Sequence, residues 1–374
     1  SNLSISTLLK TFKNAPNIKF NINKKRKNMK NIAKVLLVAL STVCLTFSSA
    51  FAGDLSVTGG ATATYKIGGA ETDNSKGLGV SNELDFTATG ELDNGMAWKW
   101  QTQLDDAGTV NDDTRMELTT PYGLVGMYIS EGGMSTEAAY GAGVMGPGSD
   151  YSAPMTVVFN YDMDSYSSVQ YHTAADLLPF GITAKVAYAP NLSSSAGDST
   201  KTSGAVETNA VGSDAVMYRV DAAPVDGLSI GASYFNASPT TGSRYDQESG
   251  GAYVKYVMGP ITVGYGKEGA TPIVAKGSEV TYYETDSYGI QFAVNEALSV
   301  SYGVEKSEKS TRTAVASAAT AGTKASTESV IDHIQAAYVI GGATLGVALS
   351  EASDSDYTAG RDENQTIFSI AMAF

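Results

Sequence analysis

The sequence predicts an all-β chain that forms a 16-stranded antiparallel transmembrane β-barrel with short turns at one end and long loops at the other. Three observations carry that expectation. Extended segments alternate apolar and polar residues at period two, and their polar faces carry charges and amides, as a water-lined interior would. The connections between segments are alternately short and long. The last segment, Asn364 to Phe374, reads NQTIFSIAMAF, with Phe368, Ile370, Met372 and Phe374 on one side and Ser369, Ala371 and Ala373 on the other. Such an ending is explained if the last strand pairs with the first, leaving the sheet no edge.

The front of the chain is different. Residues 1–28 are rich in Asn and Lys, end in a run of four basic residues at 24–27, and are expected to be an upstream extension. Residues 29–52 then read as a secretory signal peptide. Met29 leads Lys30 and Lys34, an apolar run follows from Val35 to Phe47, and Ala50-Phe51-Ala52 offers a cleavage site before Gly53. The apolar run is too short for a membrane-spanning helix. Cys44, the single cysteine, lies inside it, so residues 53–374 have no thiol or disulfide chemistry.

Removing residues 1–52 changes the charge. Nine of the 25 Lys and Arg and none of the 39 Asp and Glu lie there, which leaves sixteen bases against 39 acids and a formal charge of −23. A polyanion of that kind is a poor nucleic-acid binder, and it suits a surface that holds divalent cations or a pore that favours cations. With 39 glycines, 21 tyrosines and a mean hydropathy of −0.09, the composition fits an exported all-β protein with half-polar strands.

Taken in order, the first segment sets Leu55, Val57, Ala61, Ala63, Tyr65 and Ile67 opposite Ser56, Thr58, Thr62, Thr64 and Lys66. The second sets Leu84, Phe86 and Ala88 opposite Glu83, Asp85 and Thr87. Asp93-Asn94-Gly95 is a hairpin signal. The third sets Met96, Trp98, Trp100 and Leu104 against Lys99, Gln101, Gln103 and Asp105. A β-sandwich would also alternate around a dry core. Repeated charge on one face favours the barrel with a wet lumen.

Seven tight turns fall at 92–95, 121–123, 178–181, 224–227, 259–260, 295–297 and 340–342. Eight longer connections fall at 68–79, 106–112, 131–165, 191–213, 236–249, 268–284, 306–328 and 352–363. Short and long strictly alternate, which gives sixteen segments of mostly eight to twelve residues. That is near the roughly 9–11 residues a tilted strand needs to cross a bilayer. Tyr65, Tyr128, Tyr188, Tyr234 and Tyr265 sit near the long-loop ends, where an aromatic girdle is expected, with Trp98, Trp100 and Phe374 toward the other interface.

In this layout residues 53–374 resemble the Gram-negative general porins. The resemblance implies long external loops, short periplasmic turns and an outer-membrane homotrimer among lipid and lipopolysaccharide. It also implies a terminal strand (Phe368, Ile370, Met372, Phe374) read by the barrel-assembly machinery, and a third loop folded into the pore so that its acids face a basic patch on the wall. The loop 131–165 supplies Glu131, Glu137, Asp150, Asp162 and Asp164 as constriction candidates. The wall supplies Lys66, Lys99 and Arg115, with Glu83, Asp85 and Glu117 among them. Lys185, Arg219, Asp221 and Lys255 are weaker lumen candidates. Bases mixed with acids, and the absence of the enteric Pro-Glu-Phe-Phe loop motif, depart from the family and favour cation preference.

The expected function is passive diffusion of small hydrophilic solutes and ions, without catalysis. The rival readings are a barrel protease or phospholipase, and a plugged barrel acting as an adhesin or structural protein. Gly227-Leu228-Ser229-Ile230-Gly231 matches G-x-S-x-G, but Ser229 lies in an alternating segment with no helix after it. Gly264-Tyr265-Gly266-Lys267-Glu268-Gly269 matches G-x-G-x-x-G, but Pro272 follows where a phosphate-binding helix should begin. Two histidines, His172 and His333, without cysteine make no typical zinc site, and no cofactor is expected beyond weak divalent-cation binding in acidic loops.

Overall fold

The computed structural model describes residues 53–69, 76–105, 110–137, 139–140, 160–192, 212–239, 242–312 and 324–374. The expected extension and signal peptide at 1–28 and 29–52 lie outside them. Sixteen strands follow one another in a closed antiparallel ring. The first half runs β1 (Leu55–Gly69), β2 (Lys76–Glu91), β3 (Ala97–Asp105), β4 (Val110–Thr120), β5 (Gly123–Ile129), β6 (Ser168–Thr173), β7 (Thr183–Ala189) and β8 (Gly212–Val225). The second runs β9 (Leu228–Pro239), β10 (Gln247–Met258), β11 (Ile261–Thr271), β12 (Val280–Ala293), β13 (Leu298–Arg312), β14 (Lys324–Ile340), β15 (Ala343–Ser353) and β16 (Glu363–Ala373).

The ring closes where the terminal alternation predicts. β16 pairs with β1 from Gly60 opposite Ala373 to Gly69 opposite Asn364. Phe374 extends the seam, since its N–H donates to Gly59 O at 2.9 Å and its carbonyl accepts from Gly59 N at 2.8 Å. Every strand thereby has two neighbours, and no edge is left to recruit another chain.

The faces are those of a barrel that keeps its apolar side outward. Val57, Met116, Ile290, Phe368 and Ile370 are exposed on the outer surface, whereas Gln101, Ser249, Ser287, Ser329 and Gln335 are buried on the inner one. In a sandwich these assignments would be reversed.

Connections alternate as expected. At the first tight turn Gly95 takes a left-handed φ of +79°, and Asn94 Oδ1 accepts from Met96 N at 3.1 Å. The connection after β6 is longer than its turn signal implied, running from 174 to 182 through a 3-10 turn at Pro179–Gly181. Strand lengths are less uniform than expected, from six residues in β6 to 17 in β14. One girdle assignment is corrected. Tyr128 stands in register with Arg115 on the inner face and is 2% exposed, because its hydroxyl donates to Glu117 at 2.9 Å. Tyr234 and Tyr265 face outward near the loop end and donate to Glu248 (2.6 Å) and Asp286 (2.5 Å). Tyr188 shares its outward register with Val216 but is buried.

Deleting Phe374 removes the two backbone hydrogen bonds to Gly59, a loss of about 1–3 kcal/mol at the seam. The expected outcome is a lower urea midpoint for the folded, heat-modifiable band on gels, with Phe374→Ala less affected because its backbone pair survives.

Candidate functional site

The third loop joins β5 to β6. Its first limb leaves the ring through two left-handed residues, Ser130 (φ 50°) and Gly132 (φ 79°). A side chain at Gly132 would meet Gln170 Nε2 at 2.6 Å and the Tyr128 ring at 2.7 Å, so the turn there needs glycine. Gln170 Nε2 holds the same turn by donating to Gly132 O at 2.7 Å.

Asp162 ties the return limb to the first. Its carboxylate accepts from the N–H groups of Met134 (2.6 Å), Ser135 (2.8 Å) and Met163 (2.6 Å). The joined limbs lie against the inner wall. Ser135 O accepts from Arg219 Nη1 at 2.6 Å, and the Thr136 hydroxyl donates to Glu268 Oε1 at 2.7 Å. The Ser249 hydroxyl accepts from Tyr161 N (3.1 Å) and donates to Tyr161 O (2.7 Å). Met134 and Met163 are buried with Ala187, Ala189, Ala215, Met217, Phe235 and Ala237, and Tyr166 stacks on Phe235 at 6.0 Å between centroids. Loop and wall therefore share an apolar core inside the barrel.

Across the ring, β2 to β5 carry a polar ladder. Gln101 donates to Asp85 at 2.6 Å and accepts from Arg115. Arg115 also meets Glu131 at 2.9 Å and Glu117 at 3.7 Å. Lys99 stands in register with Glu117. The structure thus gathers Asp85, Lys99, Arg115, Glu117 and Glu131, and Arg115 is neutralised within the group. Glu83 is held by Gln103 at 3.2 Å, and Lys66 faces inward on β1 beside Ile367. Asp150 lies outside the described residues.

Besides Asp162, the loop carboxylates not paired with arginine among the described residues are Glu137 and Asp164, and Asp164 accepts from the N–H and hydroxyl of Ser165. Glu137 accepts from Asn160 at 2.7 Å. Burial, then the negative fields of Glu305, Asp162 and Asp164, push its carboxyl up to about 7 against the pull of Asn160. Burial and Asp162 push Asp164 up to about 6. Burial raises Glu131 as well, opposed by Arg115.

The sequence reading missed Thr136, Ser249, Glu268 and Glu305. Alternation along β11 and β13 does put both glutamates inside, but only the path of the loop makes them part of this site. The two catalytic-looking motifs are strand. Ser229 lies in β9 opposite Lys255, without the strand-to-helix turn of a nucleophile elbow, and residues 264–269 lie within β11. His172 and His333 pair with Gln170 (2.8 Å) and Ser350 (2.9 Å).

No protein-family model and no curated protein matches the chain. Among solved structures it is similar to an anion-selective porin from Comamonas acidovorans, with 13% identity and a TM-score of 0.62 over 86% of this chain and 100% of that one. It is also similar to the trimer form of OmpT, an outer membrane protein of Vibrio cholerae (13% identity, TM-score 0.58, 87% of this chain and 100% of that one). A third likeness is to Salmonella typhi OmpF in complex with daunomycin (12% identity, TM-score 0.54, 87% and 100%). At such identities the likeness is one of fold. The chain has the architecture of outer-membrane barrels, porins among them.

Asp162→Ala would free three N–H groups at the base of the loop. Each charge-assisted bond is worth roughly 1.5–3 kcal/mol. Hydrogen exchange over 131–140 and 160–167 should rise strongly while exchange in the strands stays at the wild-type level. Unchanged loop protection would show that the apolar core alone seats the limbs.

Proposed function

We propose that this protein is a porin, a passive outer-membrane channel for small hydrophilic solutes and ions, in which the third loop narrows the lumen and gives a preference for cations. One observation carries the reading: the loop lies against the inner wall, anchored to β8, β9, β10 and β11, and carries Glu137 and Asp164 as acids with no paired base among the described residues. A loop folded inward narrows a barrel of this strand number, which would otherwise leave an aqueous channel. The basic side of the wall adds little positive field, because Arg115 is balanced by Glu117 and Glu131. Carboxylates in a narrow aqueous passage select ions by sign.

The remaining parts of the reading follow from it. Residues 29–52 act as a cleaved export signal, and the alternation ending at Phe374 serves as the assembly signal for the barrel machinery. The channel works as a homotrimer amid lipid and lipopolysaccharide. The outward row of Ala61 and Ala63 beside exposed Ile370 and Met372 offers a smooth apolar face for a second copy. The acidic outer loops bind divalent cations weakly, and no covalent chemistry is assigned.

Single-channel recording of refolded residues 53–374 under a salt gradient tests this. Stepwise ohmic openings with a cation-directed reversal potential are expected. A folded barrel that does not conduct would overturn the channel in favour of a plugged or enzymatic barrel. Anion preference would overturn the assigned role of the loop acids.

The raised carboxyls add a pH dependence. The seated loop holds protons on Glu137 and Asp164 that a detached loop would release nearer pH 4.5 and 3.8. The seat therefore strengthens as pH falls through about 7 and about 6, while the passage loses negative charge. Cation preference should be greatest above pH 8 and fall between pH 7 and 5. Glu137→Gln should remove the upper part of that change.

A further inference from the structure

The glycine-rich row of β11 fits no nucleotide, yet its inward residues meet the third loop one after another. Tyr265 and Lys267 face outward, so Gly264, Gly266 and Glu268 face the lumen. Thr136 donates to Glu268 at 2.7 Å. Four residues on, Tyr140 lies against the two glycines, its ring 3.3 Å from where a Cβ on Gly266 would sit. A Cβ on Gly264 would fall on the carbonyl oxygen of Tyr140, 2.9 Å from its carbonyl carbon. Thr136 and Tyr140 thus stand against Glu268 and Gly264, in the opposite chain direction. Beyond the track, the Tyr140 hydroxyl accepts from Ser287 on β12 and donates to Glu305 on β13. On β10, Gly251 leaves the space that the Glu268 carboxylate fills.

We infer that Gly264, Gly266 and Glu268 form a docking track that sets how far the third loop projects into the lumen, with Tyr140 as its latch. This rests on the channel reading and assigns its aperture to named positions. None of these residues needs to touch a permeating solute. They position the loop, and the loop defines the opening. Two adjacent inward glycines let a backbone approach the wall more closely than any side chain would allow.

Current noise distinguishes positioning from simple lining. Gly264→Ala adds an atom to the wall. If the residue merely lined the lumen, conductance would fall or stay constant with no added noise. If it seats the loop, Tyr140 is pushed off the wall into the lumen, and the latch to Ser287 and Glu305 is strained. The expected result is lower and noisier conductance, with altered discrimination between mono- and trisaccharides in liposome swelling. Gly303→Ala on β13 is the matched control, since its Cβ would meet only Tyr288 O at an ordinary 3.4 Å, and it should behave as wild type. Tyr140→Phe keeps the ring and removes the latch, so it should add current noise as Gly264→Ala does.

Wild-type noise and solute discrimination in both Gly264→Ala and Tyr140→Phe would overturn the inference. Should Gly264→Ala fail to give the heat-modifiable folded form, Tyr140→Phe decides alone, because it changes one loop oxygen. Should the wild-type barrel not conduct, the channel reading falls separately. Hydrogen exchange across 131–140 then tests the track. Faster exchange in Gly264→Ala than in Gly303→Ala supports it, and equal exchange overturns it.

Discussion

Closure of the backbone ring at the seam between β16 and β1 is the constraint on which the rest depends. In hydrocarbon no water is present to satisfy a strand's N–H and C=O groups, so a sheet survives there only if every strand has two partners. Once the ring is closed, the two faces meet different solvents. The outer row takes apolar side chains, and the inner row becomes a polar wall. Glutamines and serines at Gln101, Ser249, Ser287, Ser329 and Gln335 are the interior that such a ring requires.

An apolar core nevertheless exists, and it is local. Inward positions at the loop end of β7, β8 and β9 are Ala187, Ala189, Ala215, Met217, Phe235 and Ala237, which break the polar-inside rule on three successive strands. Met134 and Met163 of the third loop fill the site. Apolar burial is nondirectional, so it holds the loop against the wall without fixing its position along it. Directional bonds supply that register: Arg219 to Ser135, Thr136 to Glu268, and Ser249 to Tyr161. The exception to the alternation marks where the loop lands.

Much of the architecture was legible because it is local in sequence. Period-two alternation gave the strands, Asp93-Asn94-Gly95 gave a turn, and the alternation of connection lengths gave their number and direction. The ladder of Asp85, Gln101, Arg115 and Glu117 was also readable, since neighbouring antiparallel strands bring same-face residues together in register. The partners of the loop were not. Thr136 and Glu268 are 132 residues apart, and nothing in either segment names the other. Asp162 illustrates the same limit. It is an acid of the loop, as expected, yet three N–H groups occupy its carboxylate, which acts as a clasp. Tyr128 looked like an interfacial aromatic, but its register with Arg115 turns it inward to Glu117.

The division of labour among the acids follows from what anchors the loop. Neutral contacts do most of the seating: the methionine and phenylalanine core, the Ser249 hydroxyl, and the glycine row under Tyr140. A loop held mainly by opposite charges would need its carboxylates as anchors and would have few left over. Here Glu131 goes to Arg115 and Asp162 to backbone N–H groups, while Glu137 and Asp164 are left with raised proton affinity. Their mutual repulsion costs stability in the ionised state, and the neutral anchors offset it. An acidic face on the loop and a firm seat on the wall are therefore compatible because different residues supply them.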